Sequence, residues 1–305
     1  MNSTYLLCLL AGALVCSGLF AWRLRSRGMK PLLALITLPM AVLLAAVLSK
    51  GVYFLAKLPE QLDNYGLGGL FRTRPAEFSF VGGCIGVVLA VVIAAKVLKK
   101  PVLPALDAFA PCGALMAAVV RLCEGLLDPM SMVGVGDFVV NDKLWFFPVA
   151  VEPMPYSWFY AVFMLEAVCA LVVAVVGFIL SRKDKFVPGR VALQTALFLA
   201  LPQIFCEDML GQCTRWGFVR VEQLLCAVIV FAVILVGCIR AKWFLPALLD
   251  LLCVGGIIWL LFTLDNKPPF GLEMPANVCY GLMILILICM AALAQWAFAK
   301  ANKKT

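Results

Sequence analysis

Arg121 and Glu124 stand three residues apart at the end of an apolar stretch, residues 114–124, that reads as membrane helix. A spacing of i, i+3 puts both side chains on one helix face. Charges at bilayer depth cost about 2.5–3.5 kcal/mol each on insertion scales, so they turn towards a protein interior or a watery cavity. The pair is therefore the first candidate for chemistry; the plain alternative is a self-neutralising ion pair that tunes packing. An arginine suits phosphate because its planar fork donates bidentately. Elsewhere, Gln203-Ile-Phe-Cys-Glu-Asp208 puts Glu207 one turn after Gln203, and Lys50 with Tyr53, Tyr160 and Glu166 also interrupt apolar runs. Cations and carboxylates gathered at the outer ends of helices would suit a phospholipid headgroup. Asp250 and the mid-helix Pro39 and Pro202 instead suit a transport pathway.

The elements that must position these groups are membrane spans. Of 305 residues, 64% are hydrophobic and 14% charged, whereas soluble domains average about 45–50% and about 25%. Apolar runs of about 20 residues between short polar breaks predict an all-α, polytopic integral membrane protein. The helices are expected near 4–22, 31–56, 78–95, 102–124, 157–180, 190–210, 223–239, 243–264 and 276–298. The breaks at 23–30, 96–101, 181–190 and 240–242 and the tail 300–305 hold most of the Lys and Arg. The positive-inside rule then puts the N-terminus outside and the C-terminus in the cytoplasm, as an odd number of spans requires. The net charge of +8 reads as anchoring against anionic lipid, not as a nucleic-acid patch. Arg23, Arg25, Arg27 and Lys30 follow the first apolar run, an arrangement that argues against a cleaved signal peptide.

The chain has no histidine, which removes the commonest general base and metal ligand. Its 13 cysteines form no C-x-x-C pair, so neither a metal centre nor a disulfide framework is expected, and no cofactor is called for. The longest outer break, residues 125–156, carries acids, glycines and aromatic residues. A loop of that length in a tight chain is more often functional than passive.

The third helix opens Ser79-Phe-Val-Gly-Gly-Cys-Ile-Gly86, followed by the basic Lys96-Val-Leu-Lys-Lys-Pro101 and then Val120-Arg-Leu-Cys-Glu124. This order resembles the prolipoprotein diacylglyceryl transferase family, whose third helix begins S-F-H-G-G-x-x-G and whose fourth ends G-R-I-G-N. Lys50-Gly-Val-Tyr-Phe54 resembles the family's A-R-L-x-Y segment, Gln203-Ile-Phe-Cys-Glu207 falls where it has R-x-x-x-E, and Val221-Glu-Gln-Leu224 resembles its S-x-G-Q run. The likeness covers residues 1–240, a transferase-like membrane domain of seven spans; residues 241–305 would add a two-helix segment.

The resemblance implies transfer of diacylglycerol from phosphatidylglycerol to the lipobox cysteine of a prolipoprotein, at the outer face of a bacterial cytoplasmic membrane. Its partners would be phosphatidylglycerol, prolipoprotein signal peptides and membrane lipid. Arg121 would hold the phosphate. Glu207 or Glu124 would take the thiol proton, and Gly82 and Gly83 would give the lipid room. Gln203, Lys50 and Tyr53 would line the site. Three positions depart from the family: Val81 stands for its histidine, Glu124 for its asparagine and Gln203 for its second arginine. Those departures keep open a second reading, a non-catalytic relative that binds lipid or a partner protein. A small transporter is the third.

Overall fold

A computed structural model of the chain describes residues 3–182, 187–216, 219–265 and 274–302. Parts of the basic break at 181–190 and of the basic tail lie outside the described residues. The helices are α1 (Ser3–Ser26), α2 (Leu32–Ala56), α3 (Leu58–Tyr65), α4 (Phe80–Val97), α5 (Val102–Glu124), α6 (Val162–Leu180), α7 (Arg190–Met209), α8 (Val221–Ala241), α9 (Leu245–Asp265) and α10 (Ala276–Asn302). Among the described residues, eight of these are long and apolar enough to cross a membrane, so the chain is a multi-pass membrane protein. The further span expected at 190–210 forms as α7 but is not among the eight. Gln194, Thr195, Gln203 and Glu207 lower its hydropathy, and all four are buried. Leucines and valines such as Leu7, Leu14, Val15 and Leu43 stand exposed on the outward faces, as lipid contact requires.

Two compact units make up the chain: residues 1–195 with 209–214, and residues 196–208 with 215–305. In the first, α2 packs along α4 and α5 packs on α1 and α6. Glycines explain the α2–α4 approach. A Cβ on Gly86 would lie 2.6 Å from the Leu44 carbonyl carbon and 2.7 Å from the Ala45 nitrogen. One turn earlier, a Cβ on Gly82 would lie 2.8 Å from the Leu48 oxygen. Small residues at four-residue spacing thus let two backbones touch where any side chain would part them. The top of the contact is locked by polar bonds. Ser79 N–H donates to the Ser49 carbonyl at 3.1 Å, the Ser49 hydroxyl donates to the Ser79 carbonyl at 2.5 Å, and Ser79 Oγ caps α4 by accepting from Gly82 N–H at 2.8 Å.

At the other end, Phe20, Leu24, Leu33, Val91, Ala105, Ala108 and Cys112 form a close core. Asp107 of α5 is buried and accepts N–H groups of Gly189 at 2.6 Å and Ala192 at 2.9 Å. It satisfies amides at the start of α7 that no helical carbonyl reaches. Arg23 donates to the Ala108 carbonyl at 2.9 Å.

Two segments differ from the expected layout. The span expected from residue 157 starts at Val162, because Ser157–Tyr160 pairs as an antiparallel hairpin with Ala150–Met154. The long outer break folds onto it: Gly136 N–H donates to the Tyr160 carbonyl and Val140 N–H to the Trp158 carbonyl, both at 2.8 Å. Trp145 stacks on Trp158 at 6.2 Å. Beyond α2, the short α3 and two 3-10 turns, Gly66–Phe71 and Pro75–Glu77, fill the loop to α4.

The second unit consists of the end of α7 with α8, α9 and α10. Here α10 packs on both α8 and α9. Trp243 and Trp296 meet edge to face at 4.3 Å, and Lys300 caps the Trp243 ring at 3.5 Å.

Candidate functional site

The last turn of α5 carries Arg121 and Glu124, and the expected pairing forms: Arg121 Nη1 to Glu124 Oε1 is 2.8 Å. A second carboxylate closes on the same guanidinium, Nη2 to Glu166 Oε1 of α6 at 3.1 Å. Side-chain exposures of 7%, 9% and 3% for Arg121, Glu124 and Glu166 place the cluster out of solvent. The face of the guanidinium lies over the Phe80 ring at 3.9 Å, a cation–π contact that gains strength when desolvated. The first residue of α4 thereby meets the last turn of α5, and the S-F-x-G-G segment is brought to Arg121.

Glu124 is only half used. Its Oε1 is on Arg121, while Oε2 is buried and has no hydrogen-bond partner among the described residues. Gly134 of the outer loop lies over that oxygen: a Cβ there would stand 2.6 Å from it. Gly134 also has φ +71, a left-handed conformation that glycine adopts at least cost. Its carbonyl accepts Phe163 N–H at 2.9 Å, which pins the loop to the start of α6.

Lys50 and Tyr53 form a separate cluster of the same unit. Lys50 Nζ is 2.7 Å from Glu77 Oε2 with side-chain exposures of 7% and 9%, and it lies 5.4 Å from the Tyr53 ring. An anion reaching Lys50 would compete with that carboxylate. Arg72 shares Glu77 at 3.9 Å and stacks on Tyr65 at 3.7 Å. Gly82 is filled by the backbone of α2, whereas a Cβ on Gly83 would meet nothing nearer than Ser49 Cβ at 3.8 Å. Val81, at the position of the family histidine, is 3% exposed and packs as an apolar residue.

Gln203 and Glu207 belong to the second unit. Gln203 donates to Glu207 Oε2 at 3.2 Å. Arg220, one residue before α8, donates to the Glu207 carbonyl and lies 3.6 Å from Asp208 Oδ1. Gln223 donates to the Ile204 carbonyl at 3.0 Å, which ties the start of α8 to the end of α7. Also in this unit, Asp250 is fully buried, and neither of its carboxylate oxygens has a partner among the described residues.

Two participants escape a reading by spacing. Glu166 is the only acid in α6, a signal that marks it as unusual without saying what it meets. Arg220 follows a polar turn and reads as an ordinary interfacial cation, yet it is 5% exposed.

The family model described as prolipoprotein diacylglyceryl transferase matches residues 3–239. The chain belongs to the prolipoprotein diacylglyceryl transferase family. No individual curated protein matches it. Membership makes this a polytopic membrane protein of a transferase family in lipoprotein biosynthesis; the family acts on phospholipid and prolipoprotein. Helix α9, α10 and the end of α8 lie beyond the matched residues.

Proposed function

We propose that this member is active and transfers a diacylglyceryl group from a phospholipid, phosphatidylglycerol by the family resemblance, to the lipobox thiol of a prolipoprotein. The reaction would run at the outer face of a bacterial cytoplasmic membrane, with residues 1–240 as the transferase domain and residues 241–305 as an addition to it. The observation that carries the reading is a buried arginine, Arg121, at the family's arginine position and in contact with the S-F-x-G-G segment through Phe80. A buried guanidinium binds phosphate strongly because water does not screen it, and here the phosphate would displace Glu124 or Glu166 from it.

In the proposed step the substrate sulfur attacks the glyceryl carbon bearing the phosphate. The S–C bond forms, the C–O bond breaks, and the headgroup leaves as a phosphomonoester. A thiol with pKa near about 8.5 needs a base. By the family resemblance that role falls to Glu207 or Glu124; within its own unit Glu207 accepts a hydrogen bond from Gln203, and Glu124 accepts one from Arg121 at Oε1. Gly83, where a Cβ would meet nothing nearer than Ser49 at 3.8 Å, is proposed to give the lipid room. Lys50 and Tyr53 are proposed to shape the site's approach, with Glu77 holding the lysine.

The test is expression in a strain depleted of its own transferase, scored by labelled-lipid attachment to a model prolipoprotein. Stable insertion without label would end the enzymatic reading. The two carboxylates already on Arg121 favour the second reading, a relative that binds lipid or a partner protein without transfer, and the same assay separates the two.

A further inference from the structure

The loop between α5 and α6 turns its apolar side chains both ways. Val135, Val140 and Ala150 are buried, whereas Val139, Phe147 and Tyr156 stand 65%, 66% and 91% exposed. Met130, Phe146 and Met154 are exposed with them. The backbone holds this arrangement. Val140 N–H is fixed on the Trp158 carbonyl and Gly136 N–H on the Tyr160 carbonyl, both at 2.8 Å, and Trp145 Nε1 donates to the Val140 carbonyl at 2.9 Å. Neighbouring side chains of an extended segment point to opposite faces, so a register that buries Val140 turns Val139 out. Single exposed apolar residues need no explanation, but a cluster of them marks a surface that something covers.

The loop's place in the chain names the cover. At the end of α5 an exposed apolar stripe runs through Leu122 and Leu126 and, at the same four-residue step, reaches Met130. On the other side the hairpin enters α6 directly at Val162, and Leu165 and Val168 of that span are exposed. The apolar surface of the loop thus continues the lipid-facing surface of two spans. Aromatic rings settle at the membrane–water interface, a zone roughly 5–8 Å deep on each side of the hydrocarbon core. Asp137, Asp142, Lys143 and Glu152, exposed in the same loop, suit that zone because water and headgroups solvate them there. We propose that residues 130–156 form a membrane-binding surface, with Phe147 and Tyr156 seated among the phospholipids of the leaflet in which α5 ends and α6 begins. Gly134 of the same loop lies over Glu124, so the anchor also steadies the cover of the Arg121 cluster. The proposal requires nothing of the transfer reaction and stands apart from it.

The experiment places the photoreactive amino acid benzoylphenylalanine at Phe147, at Tyr156 or, for comparison, at Val168 of the full-length protein in phosphatidylcholine vesicles. An aromatic probe at an exposed aromatic position leaves the packing of the loop alone. Irradiation should shift the mass of the protein by one phospholipid with the probe at Phe147 and at Tyr156, as it does at a lipid-facing position such as Val168. Absence of the lipid adduct at one or both loop positions, with Val168 labelled, would overturn the proposal and put the loop in water. A cross-link to a second copy of the chain in place of lipid would overturn it as well and assign the surface to self-association. With a synthetic prolipoprotein signal peptide added to the vesicles, labelling of the peptide in place of lipid would make the surface a peptide-docking site and would equally end the proposal.

Discussion

A guanidinium held by two buried carboxylates is an unusual object for a proposed phosphate ligand, and the proposal makes Arg121 a structural and a chemical group at once. Removing one partner of a buried pair typically costs about 3–5 kcal/mol because the other charge is left unpaired. Arg121→Ala should therefore lower the melting temperature in detergent. Adding Glu124→Gln and Glu166→Gln to it should recover most of that loss without restoring transfer. A triple variant no more stable than Arg121→Ala would contradict the cluster as drawn. The i, i+3 spacing of Arg121 and Glu124 was enough to foresee their contact, since helix geometry alone brings them together. Glu166 was not foreseeable in the same way. It reaches Arg121 from another helix, and no local spacing rule encodes where α6 lands on α5.

At the scale of elements, the α2–α4 seam and the start of α7 are joints of the first unit held by identifiable contacts. Gly86→Ala would drive a Cβ into the Leu44–Ala45 backbone. Overpacking of this kind typically costs about 1–3 kcal/mol, so the variant should melt earlier, and an unchanged melt would show that the seam yields. Gly83→Ala meets no contact closer than 3.8 Å and should be tolerated. Asp107→Ala removes the acceptor for two amides at the start of α7. Loss of such a cap costs about 0.5–2 kcal/mol, and faster hydrogen exchange at Gly189 and Ala192 should report it. The helices themselves were legible because apolar runs of membrane length have few alternatives. The hairpin Ala150–Met154 with Ser157–Tyr160 was not. Its residues are mixed polar and aromatic, it contains Pro153, and its end runs directly into the apolar stretch of α6, so the boundary is invisible to hydropathy. Gly82 and Gly86 showed the reverse: their small size suggested close approach, and the partner turned out to be α2.

For the whole molecule, the charge pattern puts the breaks after α1, α4, α6 and α8 in the cytoplasm, and this orientation is a proposal that accessibility labelling checks. In a cysteine-free background, single cysteines at residues 60 and 142 should react with an impermeant reagent added from outside. Cysteines at residues 26 and 99 should react only after permeabilisation, and the opposite pattern would invert the topology. Membership of the family gives the reaction class at family level, and with departures at Val81, Glu124 and Gln203 transfer is proposed to depend on Arg121. Arg121→Lys isolates that dependence. It preserves the positive charge between Glu124 and Glu166 but loses the bidentate fork. Transfer of labelled diacylglycerol to a model prolipoprotein should be measurable for the wild-type chain and fall by at least about tenfold in Arg121→Lys, the loss expected for one charge-assisted bond, with the melting temperature little changed. A stably inserted wild-type protein that transfers no label, or a folded Arg121→Lys variant with full activity, would contradict the account.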